Sequence, residues 1–299
     1  MAMERISVIG TGLIGASVGL ALRAAGFNGE IVGWNRSTEG LETAFAMGAV
    51  NRKAETREDA MALCEQSQII FLATPVLAIL DWMQQLAPRL KPGQLVTDGG
   101  STKLEISELA KKLYNQKDTA RFLPGHPMAG KESGGAALAE AELFRNAVWL
   151  FTPCDEETTP LETEWRAWVA KFGSRVMDLE AARHDELCAW VSHLPQMLST
   201  ALAAVLEDSF ADTQELRAIG GRALRETTRL GASPYSMWRD IAASNAEPIA
   251  KTLSALEQRL AHIRENLRTP ELREEFEKAN RFRSTGPETP AAGKHGEVK

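Results

Sequence analysis

Apolar positions follow two different rhythms along the chain, and the change falls near its middle. In the first half, short apolar runs alternate with helical patterns. Arg5 to Ile9 reads as a strand, followed by a glycine loop and a helix from about Leu13 to Ala25. Glu30 to Trp34 reads as a second strand, with a helix from about Thr38 to Met47. Gln68 to Ala73 is a nearly continuous apolar run, the pattern of a strand buried on both faces of a parallel sheet. Val76 to Leu90 looks helical and stops at Pro92-Gly93. Gln94 to Asp98 is a further strand, with weaker strands at Arg121 to Leu123 and Ala147 to Phe151. Alternation at this spacing predicts βαβ units, hence an α/β fold with a parallel sheet covered by helices on both faces.

From about Thr158 the chain is mostly helical, with one more strand expected at Ser174 to Leu179. Leu187, Val191, Leu194, Leu198, Leu202 and Val205 recur at three- and four-residue steps and form an apolar stripe. Pro195 is expected to kink that helix. Further helical patterns cover about Thr213–Leu230, Met237–Ala243 and Ala246–Arg268. The Pro/Thr/acidic stretch Pro153 to Pro160 suggests a boundary. The expected division is residues 1–155, an α/β domain, residues 156–283, a helical domain, and a disordered tail over 284–299.

Composition narrows the class without changing this picture. With 299 residues, 44% hydrophobic and 25% charged, the chain is neither collagen-like nor wholly disordered and is long enough for two domains. A net charge of −6 lacks the footprint of a nucleic-acid binder. The longest apolar stretch, Ile69 to Leu80, is twelve residues, short of the roughly 18–20 that span a bilayer. Neither nucleic acid nor membrane is expected as a partner. Three widely spaced cysteines, Cys64, Cys154 and Cys188, and an N-terminus without a signal-peptide pattern point to a reducing cytoplasm.

Gly10-Thr11-Gly12-Leu13-Ile14-Gly15 is a G-x-G-x-x-G that follows a strand and opens a helix. Gly10 permits the tight turn, Gly12 lets a pyrophosphate approach the backbone, and Gly15 allows close helix–strand packing. The helix N-terminus offers its N–H groups to the phosphates. A Rossmann-like, doubly wound sheet binding a dinucleotide is expected. NAD sites usually place a carboxylate at the end of the second strand. Here Trp34-Asn35-Arg36-Ser37-Thr38 carries none, and Arg36 with Ser37 suits a 2′-phosphate. NADP is favoured over NAD; the alternative makes Arg36 an ordinary solvated surface residue. Thr74-Pro75, after the buried strand, can contact the cofactor, cap the next helix, or do both.

Two further loops carry candidate chemistry. Ser101, in Asp98-Gly99-Gly100-Ser101-Thr102-Lys103, either contacts substrate or caps a helix starting near Thr102. His126 stands between prolines in the glycine-rich run Pro124 to Gly135, which is unsuited to a regular helix or strand. An imidazole on a stiff loop suits a general base, and a structural histidine is the alternative. No histidine spacing suggests a metal site.

Taken in order, Gly10 to Gly15, Ala73-Thr74-Pro75, Asp98 to Lys103 and His126-Pro127-Met128-Ala129-Gly130 resemble the prephenate/arogenate dehydrogenase family of tyrosine biosynthesis. His184-Asp185, Ser192-His193-Leu194-Pro195, Thr228-Arg229-Leu230 and Ser233-Pro234 through Ile241 extend the resemblance over about residues 4 to 283. The resemblance implies hydride transfer from a cyclohexadienol to the nicotinamide with loss of carbon dioxide, without a metal. It implies His126 as the base, Ser101 as a hydrogen-bond partner of the substrate hydroxyl or of the imidazole, and Arg229 as a carboxylate clamp. His193 either touches substrate or is packed, and Glu132 either gates the pocket or is solvated. Gln196, where many members carry a second histidine, and Ser133-Gly134-Gly135 leave prephenate against arogenate open. The resemblance also implies an all-helical C-terminal dimerisation domain and a homodimer, which the apolar stripe would suit. Trp165, Trp168, Trp190 and Trp238 fall in the same half, with intramolecular core as the plainer alternative to an interface between copies. Two other functions compete: a β-hydroxyacid-type dehydrogenase, for which Lys103 would be the lysine although a helix-surface place suits it better, and a non-catalytic dinucleotide sensor.

Overall fold

The structure, a computed structural model, describes residues 3–131, 133–210 and 213–285. It opens with strand β1 (Arg5–Ile9) and helix α1 (Leu13–Ala24), then β2 (Glu30–Trp34), α2 (Thr38–Ala46), the two-residue β3 (Arg52–Lys53) and α3 (Arg57–Cys64). There follow β4 (Ile69–Leu72), α4 (Val76–Leu86), β5 (Leu95–Asp98), α5 (Leu104–Leu113) and β6 (Arg121–Leu123). These strands form one six-stranded sheet in the order β3-β2-β1-β4-β5-β6, parallel throughout. That is the order of a doubly wound dinucleotide-binding sheet, whose crevice opens between β1 and β4, where the order reverses.

Burial on both faces explains why the strands are apolar without alternation. Ile69 and Phe71 pack beneath α1 with Ile6, Val8, Val18 and Leu22, whereas Ile70 and Leu72 face Val32, Trp82, Met83 and Phe122. Val8 and Phe71 are entirely buried.

A second sheet carries the segment that matters for chemistry. Strand β7 (Gly125–Pro127) pairs antiparallel with β8 (Val148–Phe151), which pairs parallel with β9 (Arg175–Asp178). This corrects the expectation that Pro124 to Gly135 holds no regular structure: His126 sits opposite Leu150 in the β7–β8 ladder. Edge position reconciles the composition with a strand, because Pro127 needs no donor on that side. Helix α6 (Pro160–Lys171) and β9 join this part of the fold. Trp165 packs with Trp149 and Phe71, at ring-centroid distances of 6.1 and 5.7 Å.

The helical run then begins with α7 (Ala181–Cys188), one π-helical stretch, Ala189–His193, and α8 (Leu194–Phe210). Pro195 was expected to kink this helix; the π-helical stretch precedes it, and the Leu194 N–H reaches back to the Ala189 carbonyl. The wider turn accommodates the missing proline N–H. Beyond it come α9 (Gln214–Ile219), α10 (Arg222–Thr228), a 3₁₀ turn at Arg229–Ala232 and α11 (Tyr235–Ser244). Gly220-Gly221 divides what the periodicity joined into one helix. Along the apolar stripe, Val191 is 64% and Val205 60% exposed, and Trp190 is not core but 44% exposed.

Residues up to Ile249 form one compact unit, and those from Ala250 a second. In the second, the rest of α12 (Ala246–Glu265) meets α13 (Glu271–Thr285) through Arg259 Nη1, 2.8 Å from Glu275 Oε1. The expected tail began at Ser284; α13 runs through Thr285, and residues 286–299 lie outside the described ones.

Candidate active site

The glycine loop is shaped by close approaches. Gly10 has φ +97° and donates its N–H to the Trp34 carbonyl at 2.7 Å. A Cβ there would lie 2.5 Å from the Ala73 carbonyl oxygen, and one on Gly15 would lie 2.0 Å from the Gly10 carbonyl oxygen. Gly12 is different: a Cβ would meet nothing within 4 Å. It stands at the N-terminus of α1, where no side chain caps the helix. Open space in front of uncapped N–H groups is what a pyrophosphate needs. Leu13 is buried as the first residue of α1, and Ile14 packs half-buried against the core.

Thr74 and Pro75 follow β4 across the crevice. The Thr74 hydroxyl oxygen is buried with no hydrogen-bond partner. It does not cap α4, whose N-cap is Pro75. A buried hydroxyl without a partner beside the glycine loop fits a ribose or amide of a nicotinamide dinucleotide. Arg36 is exposed after β2, and Ser37 caps α2, its Oγ accepting from the Gly40 N–H at 3.3 Å. Exchanging Gly12 for valine is expected to weaken dinucleotide binding without unfolding the chain, since the side chain enters the vacant cradle. Fluorescence titration with NADPH, beside a melting curve, checks this.

The second half of the site is organised around Asp98, fully buried at the end of β5. Its Oδ1 accepts the Gly125 N–H at 3.0 Å and its Oδ2 the Gly100 N–H at 2.8 Å. Oδ2 also takes the Lys103 Nζ, and neither side chain of this ion pair is exposed. One carboxylate thereby fixes the Gly99-Gly100 loop, Lys103 and β7 together. The expectation of a helix-surface place for Lys103 is corrected: the pair with Asp98 holds it inside. An ammonium so engaged is not offered to a substrate, which removes the feature on which a β-hydroxyacid-type reading leaned.

Ser101 is half-buried in the bend before α5 and makes no hydrogen bond among the described residues. It is not the helix cap. The cap comes from α7: Asp185 Oδ1 accepts the Lys103 N–H at 2.7 Å and Oδ2 the Leu104 N–H at 2.9 Å. A carboxylate at a helix N-terminus is stabilised by the free N–H groups and the helix dipole.

His126 projects from β7 into this cluster. Its Nδ1 lies 2.9 Å from His184 Nε2, and His184 Nδ1 lies 2.8 Å from Asp185 Oδ1. Cys188 Sγ is 3.6 Å from His184 Nε2, and burial pushes this thiol up to about 12, so it remains S–H. The ligand atoms of His126, His184 and Cys188 fall within 4.8 Å of one another; the two imidazoles are at hydrogen-bond distance. Burial, His184, the Lys103 ammonium and His193 together hold His126 well below the usual histidine range. Its ring is neutral at physiological pH, the state a base requires.

His193, the last residue of the π-helical stretch, is buried, with its Nδ1 3.0 Å from Asn245 Nδ2 and its ring edge-on to Trp238. Asn245 also donates to the Asp185 carbonyl at 2.9 Å. Burial lowers His193 from 6.5 to about 4. The folded chain therefore keeps it neutral where the unfolded chain is protonated. Its contribution to stability is full above pH 6.5 and is lost as pH falls toward about 4. His193→Asn is expected to flatten the fall in unfolding free energy over that window, measured by urea titration at stepped pH.

Arg229 opens the Arg229–Ala232 turn, and its side chain is exposed. The turn is tied to α8: Gln196 Nε2 donates to the Leu230 carbonyl at 2.7 Å, and Ser199 Oγ accepts the Gly231 N–H at 2.9 Å. Ser233 Oγ adds a 3.1 Å bond to Gln196 Oε1. Glu132 lies outside the described residues. The structure thus brings His126 together with His184, Asp185, Lys103 and Asp98, and links His193 to them through Asn245. Among the described residues it draws no hydrogen bond from this cluster to Ser101. Asp98 and Lys103, like the His184-Asp185 pair, were visible as parts of motifs without these roles, whereas Asn245 carried no sequence signal.

Residues 18–177 match the nucleotide-binding domain of prephenate dehydrogenase, and residues 180–281 match its dimerization domain. A prephenate dehydrogenase of Lactococcus lactis is 34% identical over 264 residues, covering 88% of this chain and 70% of the relative. A cyclohexadienyl dehydrogenase of Zymomonas mobilis is 28% identical, covering 84% of each. Among solved structures, the arogenate dehydrogenase of Synechocystis shares 31% identity, covers 94% of this chain and 99% of its own, and has a TM-score of 0.74. The Aquifex aeolicus prephenate dehydrogenase, solved with hydroxyphenyl propionate and NAD+, shares 25% identity at a TM-score of 0.80 and covers 95% of this chain and 96% of its own. With both domains matched in order over most of its length, the chain belongs to the prephenate dehydrogenase family.

Proposed function

We propose that the protein oxidises prephenate, arogenate or both, with loss of carbon dioxide, yielding 4-hydroxyphenylpyruvate or tyrosine. The observation that carries this reading is a neutral imidazole, His126, on a strand pinned at the end of a dinucleotide-binding sheet. A bound nicotinamide would supply the hydride acceptor. Gly10, Gly12, Leu13, Ile14, Gly15, Thr74 and Pro75 would hold the dinucleotide. His126 takes the proton of the ring hydroxyl as the C–H electrons leave, and Ser101 orients that hydroxyl. Aromatisation then drives the C–CO₂ bond to break. Arg229 binds a substrate carboxylate bidentately, His193 borders the substrate and Glu132 closes over it.

NADP is the preferred cofactor in this reading. Arg36 is exposed after β2, and no carboxylate stands between Trp34 and Thr38. The exposed stripe of α7 and α8 suits a second copy of the chain in a homodimer. Three free cysteines suit a reducing cytoplasm. Among the described residues, no helix is long and apolar enough to cross a membrane.

The test is a four-way assay, prephenate and arogenate each with NAD+ and NADP+, following reduced nicotinamide. Turnover of neither acid with either nucleotide would remove the reading, and a strong preference for NAD+ would remove the role of Arg36. Arg229→Ala is expected to raise the substrate KM by roughly 30-fold or more, the loss of an oriented charge-assisted pair of about 2 kcal/mol. An unchanged KM takes Arg229 out of the site.

A further inference from the structure

We propose that Asp185 and His184 are positioning residues that fix the tautomer of His126, leaving its Nε2 as the basic nitrogen. Four atoms in a row decide it: Asp185 Oδ1, His184 Nδ1, His184 Nε2 and His126 Nδ1. Both oxygens of Asp185 accept backbone N–H groups, Oδ1 from Lys103 at 2.7 Å and Oδ2 from Leu104 at 2.9 Å. A carboxylate held this way is an acceptor, so the 2.8 Å contact to Oδ1 requires the proton on His184 Nδ1. In the neutral ring, Nε2 is then a lone pair. The 2.9 Å contact to that lone pair requires the proton on His126 Nδ1. His126 Nε2 is left with its lone pair and no proton.

The direction of these hydrogen bonds matters because a histidine side chain in water prefers the opposite tautomer, with its proton on Nε2. Without an acceptor at Nδ1, His126 would carry its proton on Nε2 and have none to accept there. Asp185 thus selects the reactive form from two hydrogen bonds away. Its own charge is held by the N-terminus of α5 rather than by a cation, so it stays available to the ring. When a proton arrives at His126 Nε2, the imidazolium donates its Nδ1–H to His184 Nε2. The new charge then lies in line with the Asp185 carboxylate, and no proton need leave the site. The buried Cys188 thiol, 3.6 Å from the same His184 nitrogen, is a weak donor that does not reverse the order.

The inference takes its substrate from the reading above, but its first test does not depend on turnover. Full-length protein labelled with ¹⁵N-histidine, recorded near pH 7.5, reports the tautomer of each ring through its two-bond couplings. The chain has five histidines, and His126→Gln and His184→Gln assign the two in question. Both are expected as the Nδ1–H form. Either one found as the Nε2–H form overturns the proposal. In the kinetic test, Asp185→Asn is expected to lower kcat by roughly 10²-fold, with KM for nucleotide and acid moving less than about threefold. His184→Gln, whose amide oxygen can accept the His126 Nδ1–H, should keep at least about tenfold more turnover than His184→Leu. Equal turnover of these two, or an unchanged kcat in Asp185→Asn, overturns it. If the wild-type chain oxidises neither acid, the substrate reading fails alone, and the couplings still decide the tautomer.

Discussion

Replacing His126 with asparagine is expected to lower turnover by on the order of 10²–10⁴-fold while nucleotide binding persists. Asparagine is the informative choice. Its amide nitrogen can still donate toward His184 Nε2, 2.9 Å from the native Nδ1, so β7 loses little of its anchoring. What disappears is the basic nitrogen. The glycine loop at the β1–β4 crevice is built from other residues, so the affinity for NADPH should be unchanged. Stopped-flow turnover and a fluorescence titration of the same variant separate the two. A loss of less than about tenfold would mean that some other group takes the proton. The pH profile of the wild type adds a sign. Because burial and the neighbouring Lys103 charge hold His126 below 6.5, the acid limb of kcat/KM should lie below that pH.

Lys103→Met is expected to cost about 3–5 kcal/mol of stability, because it strands the Asp98 carboxylate without its cation in a fully buried place. The N–H groups of Gly100 and Gly125 still donate to Asp98, which keeps the loss within that range. Adding Asp98→Asn to the same chain should recover part of it, since the paired replacement removes the orphaned charge. Urea midpoints with unchanged slopes measure both. A single variant within about 1 kcal/mol of the wild type would show that the pair is solvated. A surviving fraction of Lys103→Met should also show its acid limb moved upward, because a positive neighbour of His126 is gone.

Which parts of this arrangement can be read from the amino acids follows from where each interaction is made. Ile69 to Leu72 is legible because both faces of a central strand are buried, and apolarity without alternation records that. The glycine loop is legible because close backbone approach excludes a Cβ at Gly10 and Gly15. Strand β7 is not, since its pairing is set by β8, some twenty residues on, while its own residues read as a loop. Lys103 is the same problem in side-chain form: a lysine just before a helix looks solvated until Asp98, five residues earlier, is folded beneath it. The cap of α5 is farther away still, because Asp185 arrives from eighty-odd residues later. Local pattern records burial and turn geometry. It does not record which distant polar group will satisfy a given donor.

The bond from Asp185 to the first amides of α5 carries a consequence for motion. The same carboxylate steers the imidazoles and staples α7 to the sheet-side helix, so sliding these two elements apart would scramble the proton acceptor. Any breathing that admits the acid and releases its product must therefore hinge elsewhere and leave this seam shut. The amides of Lys103 and Leu104 should accordingly be among the slowest in the cleft to exchange with deuterium, whether or not ligands are bound.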